Sequence, residues 1–124
     1  MSGLTLGEKY SRRQIHDLLG GNMQEYLPAV RGKIVAGCFR LDLNPSAPER
    51  IYPGTGRKIQ STAHKVAEQR ERLPIFLKRG NREYEFMGYY LCTGLSATVV
   101  DLQRAAAETG RTDITGVLRF ARSA

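Results

Sequence analysis

At 124 residues, with 41% hydrophobic and 25% charged side chains, the chain suits a single domain, residues 1–124, built on one core. Its longest apolar runs are far too short to cross a membrane, and Met1 to Glu8 lacks the apolar core of a signal peptide, so a cytoplasmic protein is expected. Lys plus Arg is 19 against 12 for Asp plus Glu, a net charge of +7, which favours polyanionic partners through counterion release from phosphates.

The first element is a short helix from Ser11 to Leu19. Ser11 is an N-cap, Gln14 three residues later completes a capping box, and Gly20-Gly21 stops the helix. Lys33 to Leu41 is rich in β-branched and apolar residues and predicts a strand buried on both faces for part of its length. Asn44-Pro45-Ser46-Ala47-Pro48 is a loop by turn chemistry, and Glu49 to Gly56 a short extended piece that enters a glycine turn. Arg57 to Arg72 predicts a basic amphipathic helix. Ile59, Ala63, Val66 and Ala67 lie at helical spacing, and Leu73-Pro74 ends the element.

Gly80-Asn81 predicts a two-residue hairpin turn. In that register Leu77 faces Tyr84, Ile75 faces Phe86 and Lys78 opposes Glu83, so the four apolar side chains share one face. Gly88 inside the second strand predicts a bulge or a close backbone approach. A helix from Ala97 to Thr109, with Val99, Leu102, Ala105 and Ala106 on one face and Gly110 as its stop, precedes a last strand from Ile114 to Phe120. This order predicts an α+β fold with a curved, largely antiparallel sheet or open barrel and two to three flanking helices.

Cys38 and Cys92 sit inside apolar runs and are expected as buried small hydrophobes. His16 and His64 stand alone, without ligands at metal spacing. No metal, cofactor or catalytic residue is assigned. The chain shows no clustered histidines and no paired carboxylates in a credible pocket. Gly54-Thr55-Gly56 lacks the Gly-Lys-Ser/Thr ending of a phosphate-binding P-loop.

The stretch from Tyr52 to Leu91 resembles the SRA (YDG) domain of the PUA-like superfamily. An aromatic precedes a glycine turn, Tyr52-Pro53-Gly54-Thr55-Gly56. A connecting segment leads to Leu73-Pro74-Ile75-Phe76-Leu77-Lys78-Arg79-Gly80, and then to Tyr84-Glu85-Phe86-Met87-Gly88-Tyr89-Tyr90-Leu91. Met87 stands where the family signature has aspartate, Pro53 where it has threonine, and Arg57 where it has a second glycine. The resemblance implies a reader of modified cytosine, methylated or hydroxymethylated, that flips the base out of duplex DNA and holds it between aromatics. On that reading Tyr52 stacks on the base, and Gly54, Thr55 and Gly56 let backbone approach it. Asp42 is the nearest acidic edge-reader, and Tyr89 is a further pocket candidate.

Arg57, Lys58 and Lys65 on the basic helix and Lys78, Arg79 and Arg82 at the hairpin tip are candidate phosphate contacts. The partner is nucleic acid, DNA ahead of RNA, with no membrane. A PUA-like RNA binder, or the DNA-recognition component of a restriction-type system with a separate nuclease partner, are the alternatives. Oligomeric state is left open.

Overall fold

The computed structural model describes residues 3–123. After the short strand β1 (Lys9–Tyr10) comes helix α1 (Arg12–Leu19). Its start is the capping box read from the sequence: Gln14 N donates to Ser11 Oγ at 3.1 Å, and Ser11 N donates to Gln14 Oε1 at 2.8 Å. Gly20, at φ 86°, closes the last turn by donating to the His16 carbonyl at 2.7 Å.

The single strand expected from Lys33 to Leu41 is two strands. The ribbon of β2 (Ala29–Val30) and β3 (Lys33–Ile34) turns at Arg31 and Gly32, both at positive φ. The chain then leaves this ribbon, and β4 (Gly37–Arg40) joins a different sheet. The change of partner explains the break, which an apolar run does not reveal.

The main sheet has the order β4, β6 (Leu73–Gly80), β7 (Glu83–Ser96), β8 (Val117–Arg122), β5 (Arg50–Ile51), with β1 added beside β7. β4 runs parallel to β6 and every other pair is antiparallel. With three helices, the molecule is an α+β protein with a mixed, mostly antiparallel sheet that does not close into a barrel. No helix among the described residues is long and apolar enough to cross a membrane.

Helix α2 (Arg57–Gln69) ends three residues before the expected Arg72. Gln69 donates to the Ile34 carbonyl and accepts from the Ile34 N–H, both at 2.8 Å, which ties this end of the helix to β3. Arg70 then adopts the left-handed region at φ 53°, and Leu73-Pro74 starts β6. Helix α3 (Val99–Thr109) is capped by Thr98, whose Oγ1 accepts from Asp101 N at 3.2 Å. Val99, expected on its apolar face, is exposed, and Ala105 is the side chain that α3 buries. The last strand lies two to three residues later than the expected Ile114 to Phe120.

β6 lies inside the sheet and is apolar on both faces. Ile75 and Leu77 join Phe39, Ile51, Val66, Tyr90 and Leu118 in the larger cluster, which includes side chains of α2. Phe76 joins Ile15 of α1 with Cys38, Tyr84 and Phe86 in the second. The hairpin register therefore differs from the expected one. The turn centres on Asn81 and Arg82, the latter at φ 69°, and Gly80 pairs with Glu83. Arg79 is an extra residue, so Lys78 pairs with Tyr84, Leu77 with Glu85 and Phe76 with Phe86. Ile75 and Leu77 thus face the opposite cluster from Tyr84 and Phe86, as a one-residue slip requires.

Met87 is a second extra residue, between the pairs Phe76–Phe86 and Ile75–Gly88, so the irregularity expected at Gly88 lies at that point. Gly88 has φ 111°, a conformation that side-chain-bearing residues rarely adopt. Gly88→Ala is expected to lower unfolding stability by about 1–3 kcal/mol. Urea unfolding with an unchanged slope and a lower midpoint checks this.

Candidate functional site

The sheet's two outer strands, β4 and β5, both border one cleft of about 480 Å³. Cys38, Phe39 and Arg40 of β4 line it, with Leu43 and Asn44 of the following loop and the segment from Ile51 to Gly54. α2 contributes Lys58, Ile59 and Thr62 from its first turns, and the segment after α1 contributes Gln24, Glu25 and Tyr26. Arg12, Tyr84, Arg111 and Asp113 complete the lining.

Three polar anchors hold this assembly in shape. Asn44 is buried, and its side chain accepts from Tyr52 N at 2.7 Å and donates to the Arg40 carbonyl at 3.1 Å, joining the loop after β4 to the segment after β5. Arg111 spans the same two segments. Its Nη1 donates to the Leu43 and Tyr52 carbonyls, both at 3.0 Å, while Nε and Nη2 hold Asp113 at 2.9 and 3.2 Å. That fork draws the Asp113 carboxyl below the usual range, chiefly through the hydrogen bond. Arg12 donates to the Asn22 and Glu25 carbonyls at 2.9 and 2.8 Å and so secures the segment that carries Tyr26. Its partners are carbonyls, so its charge is not neutralised by them, and its buried Nε has no partner.

Tyr26 is the half-buried aromatic of the cleft. Its hydroxyl donates to the Ile59 carbonyl at 2.6 Å, and its ring lies 6.4 Å from that of Phe39. Burial raises its phenol to about 12, so it remains a neutral hydrogen-bond donor. Across the same space Lys58 pairs with Glu25 at 2.7 Å. The Cys38 thiol is pushed up to about 12 by burial and stays protonated, so it is no ready nucleophile. Among the described residues no group of three or more His, Cys, Asp or Glu side chains is placed to hold a metal ion.

Of the residues singled out from sequence, Tyr52, Gly54 and Lys58 border the cleft. Tyr52 is only 4% exposed and fixed on several sides. Its ring packs with Ala105 and Val117, its hydroxyl donates to Glu108 Oε2 at 2.7 Å, and its backbone is held by Asn44 and Arg111. It is a wall of the cleft, tied to α3. Gly54 has a reason the sequence did not suggest: a Cβ there would lie 2.7 Å from Asp113 Oδ2, so the missing side chain makes room for the Arg111–Asp113 pair.

Thr55 and Gly56 lie just beyond the cleft, where Gly56 is the N-cap of α2 with no side-chain cap. Asp42 is turned onto Arg40, with oxygens 2.6 and 3.1 Å from the guanidinium, and does not line the cleft. Tyr89 is elsewhere, with its ring beneath the Arg72 guanidinium at 4.7 Å and edge-on to Phe86. Arg57 and Lys65 are exposed on α2, Lys78 is half-buried on β6, and Arg79 and Arg82 are exposed at the hairpin, Arg79 pairing with Glu85 at 2.8 Å.

The sequence reading missed Arg12, Glu25, Tyr26, Asn44 and Arg111. Arg12 and Asn44 fell inside segments already explained by capping and turn chemistry. Glu25-Tyr26 precedes Leu27-Pro28 in an irregular segment with no periodic signal. Arg111 follows the glycine that stops α3, where a solvated cation is the ordinary expectation.

The architecture and cleft define a small α+β domain whose ligand-sized cavity lies between the two outer strands of an unclosed sheet. The chain belongs to the family described as Domain of unknown function (DUF6697), whose model matches residues 9–112. That span contains every cleft-lining residue except Asp113. No curated protein and no solved structure matches the chain.

Tyr52→Phe is expected to cost about 1.5–3 kcal/mol, since it removes a hydrogen bond to a carboxylate while keeping the ring. Hydrogen bonds from Ser46 and Tyr52 lower the Glu108 carboxyl, so its contribution is present above the ordinary glutamate range and is lost as pH falls through the depressed value. Thermal melts from pH 7 to pH 3 should therefore show the deficit of Tyr52→Phe shrinking at the acid end.

Proposed function

We propose that this protein is a non-catalytic nucleic-acid-binding module that holds one unstacked nucleobase in the cleft between β4 and β5. The observation that carries the reading is a cavity of about 480 Å³, roomy enough for a base and bordered by Tyr26, Phe39, Tyr52 and Tyr84, with the unpaired Arg12 and the carboxylate-paired Arg40, Lys58 and Arg111 around it, on a chain of net charge +7. A cavity of this size suits a small ligand buried on most sides. A base inside a duplex is stacked and paired, so on this reading the base enters from single-stranded nucleic acid or after extrusion from a duplex.

The half-buried Tyr26 is the stacking platform, and Tyr52, with Phe39, shapes the wall behind it. Glu25 takes the edge-reading role considered for Asp42, because its carboxylate is in the cleft, held there by Lys58. Lys58, which lines the cleft, and Arg57 beside it in the first turn of α2, whose start has no side-chain cap, are candidate phosphate contacts.

The mixed, mostly antiparallel sheet with its three helices and the ordered resemblance of Tyr52 to Leu91 support a PUA-like, SRA-like assignment, and with it DNA carrying a modified cytosine as the ligand. A separate nuclease partner belongs to the alternative reading, the DNA-recognition component of a restriction-type system.

The test is fluorescence anisotropy with labelled oligonucleotides, single-stranded and duplex, carrying cytosine, methylcytosine or hydroxymethylcytosine, with RNA of the same sequence as competitor. Tyr26→Ala should weaken binding about ten-fold or more, the scale of one lost stacking contact of about 1–3 kcal/mol. Equal affinity for modified and unmodified strands would remove the modification from the reading. No binding of any oligonucleotide at low salt would remove nucleic acid itself.

A further inference from the structure

The observed register places a file of side chains across the sheet next to the cleft. Arg40 on β4 is paired with Lys78 on β6, and Lys78 with Tyr84 on β7, which in turn faces Tyr10 on β1. Directly paired residues project from the same face. Arg12 joins this file from α1, with its Cζ 5.6 Å from the centre of the Tyr84 ring. Arg12 and Lys78 thus lie beside one aromatic, Arg40 lies one strand further out, and Arg12 and Arg40 also line the cleft.

The acids nearby do not cancel this charge. Asp42 offsets Arg40 only in part, through a two-pronged pair whose side chains are 53% and 61% exposed and therefore screened by solvent. Arg12 is bonded to carbonyls, and among the described residues no carboxylate makes an ion pair with Arg12 or Lys78. Glu85, the neighbour of Tyr84, points to the other face of β7 and is held by Arg79. The file is therefore a cationic lip that begins inside the cleft and continues outward over the sheet.

We infer that this lip seats the phosphodiester attached to the nucleotide whose base occupies the cleft, so that the strand leaves the cleft along Arg12, Arg40 and Lys78. The inference rests on the nucleobase reading and adds to it a direction and a chemical requirement: the ligand is a nucleotide within a strand, and its phosphate is recognised on the α1 side of the sheet. The bulge at Arg79 is part of the device. With regular pairing onward from Gly80–Glu83, Arg79 would oppose Tyr84, and Lys78 would oppose Glu85 and leave the file.

The experiment measures the salt dependence of binding of a single-stranded oligonucleotide by the full chain, its Lys78→Gln and Arg40→Gln variants, and Arg104→Gln, an exposed cation on α3 away from the cleft. Each phosphate contact to a single strand contributes about 0.7 to the slope of log K against log salt. Lys78→Gln and Arg40→Gln should each reduce the slope by about that amount with unchanged melting temperature, and Arg104→Gln should leave it unaltered. Unchanged slopes for Lys78→Gln and Arg40→Gln, with Tyr26→Ala still weakening binding, overturn the lip and leave the cleft reading standing. An equal loss for Arg104→Gln overturns the lip as well, by showing that charge acts without position. If the full chain binds no oligonucleotide at low salt, both readings fall together.

Discussion

The hydrogen-bond ladder along β7 changes partner partway. Its first half lies between β6 and β1, and its second half pairs with β8. Fourteen residues of one strand thus join segments from both ends of the chain, and the placement of nearly every other element follows from where β7 bends. The bends are local and identifiable. Met87 is an extra residue beside Gly88 at φ 111°, and a second shift lies between Cys92 and Gly94. Irregularities of this kind increase local twist and turn a strand. Here they allow one sheet to present its two outer strands, β4 and β5, to a common cavity. Phe39 and Ile51, from those two strands, share one apolar cluster beside it.

Polar chemistry at the cleft is layered over that frame. Asn44 and Arg111 fix the segments around β5, and Arg12 fixes the segment that carries Tyr26. All three do so largely through backbone carbonyls and N–H groups. Backbone anchoring leaves charge available: Arg12 remains cationic and without a carboxylate partner. Where carboxylates are used, as in Lys58–Glu25 and Arg111–Asp113, each pair supplies the cavity with an acceptor beside a donor. The surface that results can engage a ligand carrying both hydrogen-bonding edges and negative charge.

Local signals in the sequence located the elements well and the site poorly. The capping box at Ser11 and Gln14 and the glycine stops at Gly20 and Gly110 act within a few residues, so they are legible in a single chain. The hairpin was legible as a hairpin, but its register was not. Gly80-Asn81 is a strong turn signal, whereas the turn uses Arg82 at positive φ and is accommodated by the extra residue at Arg79. Nothing in the composition favours that choice, and it moves every side chain of β7 before the second bulge relative to β6. The glycine turn after Tyr52 was read as a place where backbone approaches a ligand, whereas at Gly54 the missing side chain makes room for another side chain of the protein. That side chain is Asp113, 59 positions from Gly54, a separation across which sequence patterns carry no information. Tyr26 was overlooked for the same reason, since its importance arises from Ile59 and Phe39 meeting it in space.

An unclosed sheet ordinarily exposes two rows of unpaired backbone groups that can recruit strands from other chains. On β4 the Cys38 N–H is already satisfied by the Tyr26 carbonyl at 2.8 Å, and Asn44 occupies the Arg40 carbonyl, so the segment and loop that build the cleft also shield this edge. Loosening the Tyr26 segment would then have a colloidal consequence as well as a recognition one. A chain that had lost its grip on the segment would present a bare β-edge next to an apolar cavity, the combination from which self-association through β-strand pairing starts.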